Sequence, residues 1–151
     1  MHDPEPCTCG ECRDLDRAFP KEGWQAKLPL NADAAATPAT VMAALRRARL
    51  LPSTEAALQT SIETTLAGAG ILAEREVRLA PGERIDFLVA GGIGIEAKAR
   101  CQPRAIFRQL ERYAKREQIT ALILVTGTAC GLPATIGGKP AFFVSVGRTA
   151  L

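Results

Sequence analysis

The spacing of apolar positions changes character along the chain, and each change marks an element. Thr37 reads as a helix cap, with Pro38 in the first turn and Val41, Leu45 and Arg49 following, until Pro52 ends the segment. A second helix starts after Ser53 or Thr54 and carries Leu58, Ile62 and Leu66 four apart, with Gly68 and Gly70 as its stop. The period then falls to two. Val77, Leu79, Ile85, Phe87, Val89, Ile93 and Ile95 alternate with polar or small residues, and Pro81-Gly82 and Gly91-Gly92 mark the turns of a three-stranded meander. Pro103 opens a third helix with Ile106 and Leu110 inward. Leu122 to Val125 reads as a central strand, and a Gly/Pro-rich loop from Gly127 to Pro140 leads to a last strand from Phe142 to Val146. The order predicts an α/β fold, a mixed sheet flanked by helices.

Composition sets limits on the chemistry. The 151 residues are 47% hydrophobic and 23% charged, a globular balance, and only 5% aromatic, so the core is aliphatic. His2 is the single histidine, which disfavours Ser-His-Asp, Cys-His and multi-histidine zinc catalysis and leaves carboxylates and lysine. No apolar run approaches the ~20 residues of a membrane span, so no membrane partner is expected. Asp3 and Glu5 with no apolar run behind them predict no secretory leader, hence a cytoplasmic location with reduced thiols. Residues 1–37 read as an irregular extension and linker, and 38–151 as the folded domain. The first 23 residues carry a net −3 and hold Cys7, Cys9 and Cys12. Three thiolates so close can wrap one Zn²⁺, with His2, Cys130, Asp14 or water as fourth ligand, or they are free thiols in a tail. Cys101 reads as a packing residue.

The stretch from Arg84 to Lys98 carries the chemistry. Asp86 lies on one strand of a hairpin, and Glu96 and Lys98 lie two apart on the next. A period of two sets Glu96 and Lys98 on one face and Ile95 and Ala97 on the other. An ionised pair inside a β run needs partners, and a hard divalent cation is one. Asp86, Glu96 and the backbone carbonyl of Ala97 could hold Mg²⁺ or Mn²⁺, with Lys98 orienting a water or stabilising charge on a phosphate.

With Asp86 and Glu96-Ala97-Lys98 in this setting, residues Thr54 to Val146 resemble the PD-(D/E)XK nuclease superfamily. Ile85 stands where the motif proline would be. The resemblance implies a restriction-endonuclease-like core of order α-β-β-β-α-β and metal-dependent hydrolysis of DNA phosphodiesters. It also implies a Glu or Gln on the helix before the meander. Glu55, Gln59 and Glu63 share one face there, and Gln59 best fits the expected position. Glu55 and Glu63 read equally well as solvated helix residues. Gln109 and Tyr113, one turn apart, look like the Q-x-x-x-Y element of RecB-like members, which supports the lysine and contacts DNA. Some RecB-like members hold an iron–sulfur cluster on four cysteines, but the C-x-C-x2-C arrangement here departs from that pattern.

Charge points the same way. From Lys98 to Arg116 seven basic residues face only Glu111, a local +6 against +3 for the whole chain. Arg104, Arg108, Arg112 and Lys115 form a helical stripe suited to phosphates or, more blandly, a solvated face. The leading expectation is a Mg²⁺- or Mn²⁺-dependent deoxyribonuclease of phage or bacterial type, in which duplex cleavage needs a homodimer or successive nicks. The rivals are a non-catalytic nucleic-acid-binding module with the same fold and a metal-binding interaction protein acting through its cysteine tail.

Overall fold

The structure is a computed structural model in which residues 35–146 are described. The expectations for the N-terminal extension, with His2, Cys7, Cys9 and Cys12, lie outside the described residues.

Helix α1 (Pro38–Arg47) begins as its sequence dictates. Thr37 and Thr40 exchange side-chain-to-backbone hydrogen bonds at 3.2 and 2.9 Å, satisfying two amides that the first turn would leave bare. The helix ends at Arg47, short of the expected Arg49. Ala48 is already extended, and the chain turns so that Leu50 enters the core. Helix α2 (Glu55–Gly68) is capped by Thr54, whose hydroxyl accepts from Ala57 N at 3.1 Å. Leu58, Ile62 and Leu66 are fully buried, the one stripe that the four-residue spacing foretold. Gly70 adopts φ +70°, and the Ile71 amide reaches back to Leu66 O, a left-handed closure that glycine permits without steric penalty.

Six strands follow: β1 (Ala73–Ala80), β2 (Glu83–Val89), β3 (Ile93–Lys98), β4 (Ala121–Thr126), β5 (Thr135–Ile136) and β6 (Lys139–Ser145). Their spatial order is β1-β2-β3-β4-β6-β5. The β1–β2–β3 meander is antiparallel, β3–β4 and β4–β6 are parallel, and helix α3 (Pro103–Ala114) makes the crossover from β3 to β4. All of β4 is buried, as its unbroken apolar run requires. The expected loop from Gly127 to Pro140 contains an element that was not foreseen. Thr135–Ile136 pairs with Lys139–Pro140, so the final strand starts earlier than Phe142. Two residues are too few to show a period.

Two cores sandwich the sheet. Helices α1 and α2 cover Phe87, Val89, Ile93, Ile95, Ala97, Ile123 and Val125. Helix α3 covers the other face with Ile106, Leu110 and Tyr113 against Ile85, Leu122 and Leu124. Ile85 and Phe87, two apart on β2, thus face opposite cores, where a regular alternation would put them together. The switch falls at Asp86. In β1, Glu76 lies opposite, between the pairs Arg75↔Phe87 and Val77↔Ile85, with the positive φ of 52°. The carboxylate of Asp86 sits at a kink in both strands. Gly94 makes the kink packable, because a Cβ there would come within 2.5 Å of Ile85 Cδ1. Among the described residues, no helix is long and apolar enough to cross a membrane.

Candidate functional site

Strands β2 and β3 pair only from Phe87↔Ile95 to Val89↔Ile93, and beyond Phe87 the sheet forks. Polar side chains occupy the fork and take over the lost ladder bonds. Asp86 Oδ2 accepts the Ala97 amide at 2.8 Å, and its Oδ1 accepts from Gln59 Nε2 at 3.0 Å. On the other side, the Tyr113 hydroxyl donates to the Arg84 carbonyl at 2.6 Å. The fork thus satisfies its main-chain groups with residues that also face a cleft, instead of leaving them orphaned.

Glu96 and Lys98 share one face of β3, as the two-residue period requires. Lys98 Nζ lies 3.0 Å from Glu96 Oε1 and 3.1 Å from Glu55 Oε1 on α2. Gln109 Nε2 donates to Glu96 Oε1 at 2.7 Å and to the Tyr113 hydroxyl at 2.6 Å. A chain of hydrogen bonds therefore runs from Glu96 through Gln109 and Tyr113 to the backbone of β2. Glu96 is 1% exposed, and its second oxygen, Oε2, is buried with no hydrogen-bond partner. Leaving a buried carboxylate oxygen unmet is costly, and a cation is the partner that its chemistry asks for.

The electrostatics follow from crowding. Burial, and then the Asp86 charge, push the Glu96 carboxyl up to about 7. Burial likewise raises Asp86, against the opposing pull of the Ala97 amide and the Lys98 charge. Burial works against the Lys98 ammonium, but the carboxylates of Glu96 and Glu55 outweigh it and hold its pKa above the ordinary lysine value. Lys98 is therefore a cation at neutral pH. Burial, with the Glu96 charge next, takes the Tyr113 phenol up to about 12, so it stays a hydrogen-bond donor.

The sequence-predicted residues separate into two groups. Glu55, Gln59, Asp86, Glu96, Lys98, Gln109, Arg112 and Tyr113 all line one cleft of about 470 Å³. Glu63 does not join them. Arg75 draws it away at 2.8 Å, and the same guanidinium holds Gln59 Oε1 at 3.3 Å. Arg104 and Arg108 on α3 and Lys115 at its C-terminal cap are exposed and do not line the cleft. Only Arg112 of the expected stripe reaches it. Ala97 has its methyl in the core and gives its amide to Asp86. Four cleft residues went unforeseen, namely Arg78, Gly82, Glu83 and Arg84 on the β1–β2 hairpin. Their signal was the basic pair flanking the Pro81-Gly82 turn. A larger groove of about 600 Å³ between α1 and α2 is lined mostly by Ala, Gly and Thr and gathers no convergent polar groups.

Three expectations are corrected, one of them that the thiols are reduced. Cys101 is not a lone packing residue, and Cys130 is not a zinc ligand. The two form a disulfide across 29 residues, with Cα atoms 6.3 Å apart. It ties the segment after β3 to the loop after β4.

The donor set fits a hard divalent ion. Two carboxylates converge, one with an unmet buried oxygen, and a cation holding most of its shell as water needs few protein ligands. Among the described residues no group of three or more His, Cys, Asp or Glu side chains is placed to hold a metal ion. No family model, no curated protein and no solved structure matches this chain.

Proposed function

We propose that this chain is a divalent-metal-dependent nuclease that hydrolyses phosphodiester bonds of DNA. The observation that carries the reading is the buried, unpartnered Oε2 of Glu96 beside Asp86 and Lys98, in a cleft lined by arginines. The PD-(D/E)XK resemblance supports it, since Asp86, Glu96 and Lys98 meet in one place. Asp86 and Glu96 would hold Mg²⁺ or Mn²⁺, which when bound polarises the phosphate and activates water. Gln59 and the Ala97 amide fix the Asp86 carboxylate, and Gln109 fixes Glu96. Lys98, kept cationic and oriented by Glu55, stabilises the charge that builds on the phosphate as water attacks phosphorus and the P–O ester bond breaks. The attacking water gives up a proton to solvent, and the departing oxygen takes one from it. Arg112 holds the substrate backbone at the rim. The reaction needs no covalent intermediate.

The test is to incubate circular and linear, single- and double-stranded DNA with Mg²⁺ or Mn²⁺ and the wild type, Asp86→Ala or Lys98→Ala. We expect cleavage by the wild type and a loss of at least about 100-fold in each variant. Cleavage that survives both substitutions would overturn the reading. DNA binding without cleavage would favour a non-catalytic nucleic-acid-binding module.

A further inference from the structure

The β1–β2 hairpin holds two arginines that make no close ion pair among the described residues. Arg78 and Arg84 are direct cross-strand partners, on the arm beyond the fork. Like charges directly opposite each other weaken a strand pair. Arg84 has only a loose ion pair, 3.7 Å from Glu76, and both of those side chains are more than half exposed. Arg78 has no ion-pair partner among the described residues. Both arginines line the cleft that contains Asp86, Glu96 and Lys98, and Arg112 of α3 lines it too. The hairpin is also tied to Glu96 by a chain of hydrogen bonds. The Arg84 carbonyl is held by Tyr113, which Gln109 joins to Glu96.

We infer that Arg78 and Arg84 form a phosphate clamp that grips the DNA backbone beside the bond to be cut. The strand then passes from the hairpin, over the carboxylates, to Arg112. This rests on the nuclease reading and extends it, because it makes the substrate a chain that continues past the cleaved bond. A paired guanidinium site suits the non-bridging oxygens of a phosphodiester better than isolated surface lysines do. The clamp contributes little to a small diester that ends at the reacting phosphate.

The experiment compares wild type, Arg78→Ala/Arg84→Ala and the charge-matched Arg46→Ala/Arg47→Ala, whose side chains lie on α1. Binding of a labelled 20-nucleotide DNA is followed by anisotropy in EDTA over a range of salt. Hydrolysis is followed with Mn²⁺ on the same DNA and on bis(p-nitrophenyl) phosphate. We expect the hairpin variant to bind DNA at least about tenfold more weakly than the control, with a salt slope reduced by one to two. We also expect its KM for DNA to rise by a larger factor than its KM for the small diester. Equal DNA affinity in the hairpin and control variants, with the wild type active, would overturn the clamp and leave the nuclease reading standing. Equal losses on DNA and on the small diester would also overturn it. A wild type that neither binds nor cuts DNA would remove both.

Discussion

Glu96 carries a conflict between folding and chemistry. Its pKa rises from 4.5 in a free chain to about 7 in the fold, so between these values the folded protein binds the extra proton. Its contribution therefore favours the fold at low pH and is lost as pH climbs through 7. The penalty reaches about 3 kcal/mol above pH 7 in metal-free protein, because each tenfold change in proton affinity is worth ~1.4 kcal/mol. Glu96→Gln, measured by urea denaturation in EDTA, is expected to be more stable than wild type at pH 8, with the gap closing near pH 5. A gap independent of pH would contradict this. That Glu96 and Lys98 share a face was legible in the sequence, because a period of two fixes it. The choice among Glu55, Gln59 and Glu63 was not, since all three lie on one helical face. Arg75, from a different element, takes Glu63 out of the site. A contact between α2 and β1 leaves no trace in the local pattern of either.

Helix α3 joins two tasks in one turn spacing. Ile106 and Leu110 anchor it to the sheet, while Gln109 and Tyr113 reach into the fork. Tyr113→Phe keeps the ring packing but strips the Arg84 carbonyl and Gln109 of a partner. It is expected to lose about 1–2 kcal/mol of stability and to lower DNA cleavage more than DNA affinity. Thermal denaturation with parallel binding and rate measurements checks this, and unchanged stability would contradict it. Leu110→Ala should cost about 2–5 kcal/mol. At this scale the helices, the meander and the central strand were readable from periodicity and caps. The reversal of faces at Asp86 was not. Ile85, Phe87 and Val89 spell an ordinary alternation, and only the positive φ of Glu76 and the bare Cα of Gly94 let the strands turn over.

Across the whole molecule, the +3 charge is unevenly placed, with Arg78, Arg84 and Arg112 around the buried Glu96 and the half-buried Asp86. That the sheet is mixed followed from element order and crossover rules, but the Cys101–Cys130 bond did not, because an odd cysteine count and a separation of 29 positions give no pairing signal. A link closing a loop of that length restricts the unfolded chain and adds about 3 kcal/mol. Treatment with reductant should lower the melting temperature by about 10 °C, and Cys101→Ala/Cys130→Ala should be insensitive to it. A wild type equally insensitive would show that the bond contributes nothing. The fork has a mechanical consequence as well. The β1–β2 arm meets the rest of the sheet through three ladder pairs, whereas β3 and β4 share six. In native-state hydrogen exchange the arm should open as a unit at lower free energy than β3, β4 and β6. The protein would then consist of a slow-exchanging block bearing Glu96 and Lys98, and a looser jaw bearing the two opposed arginines.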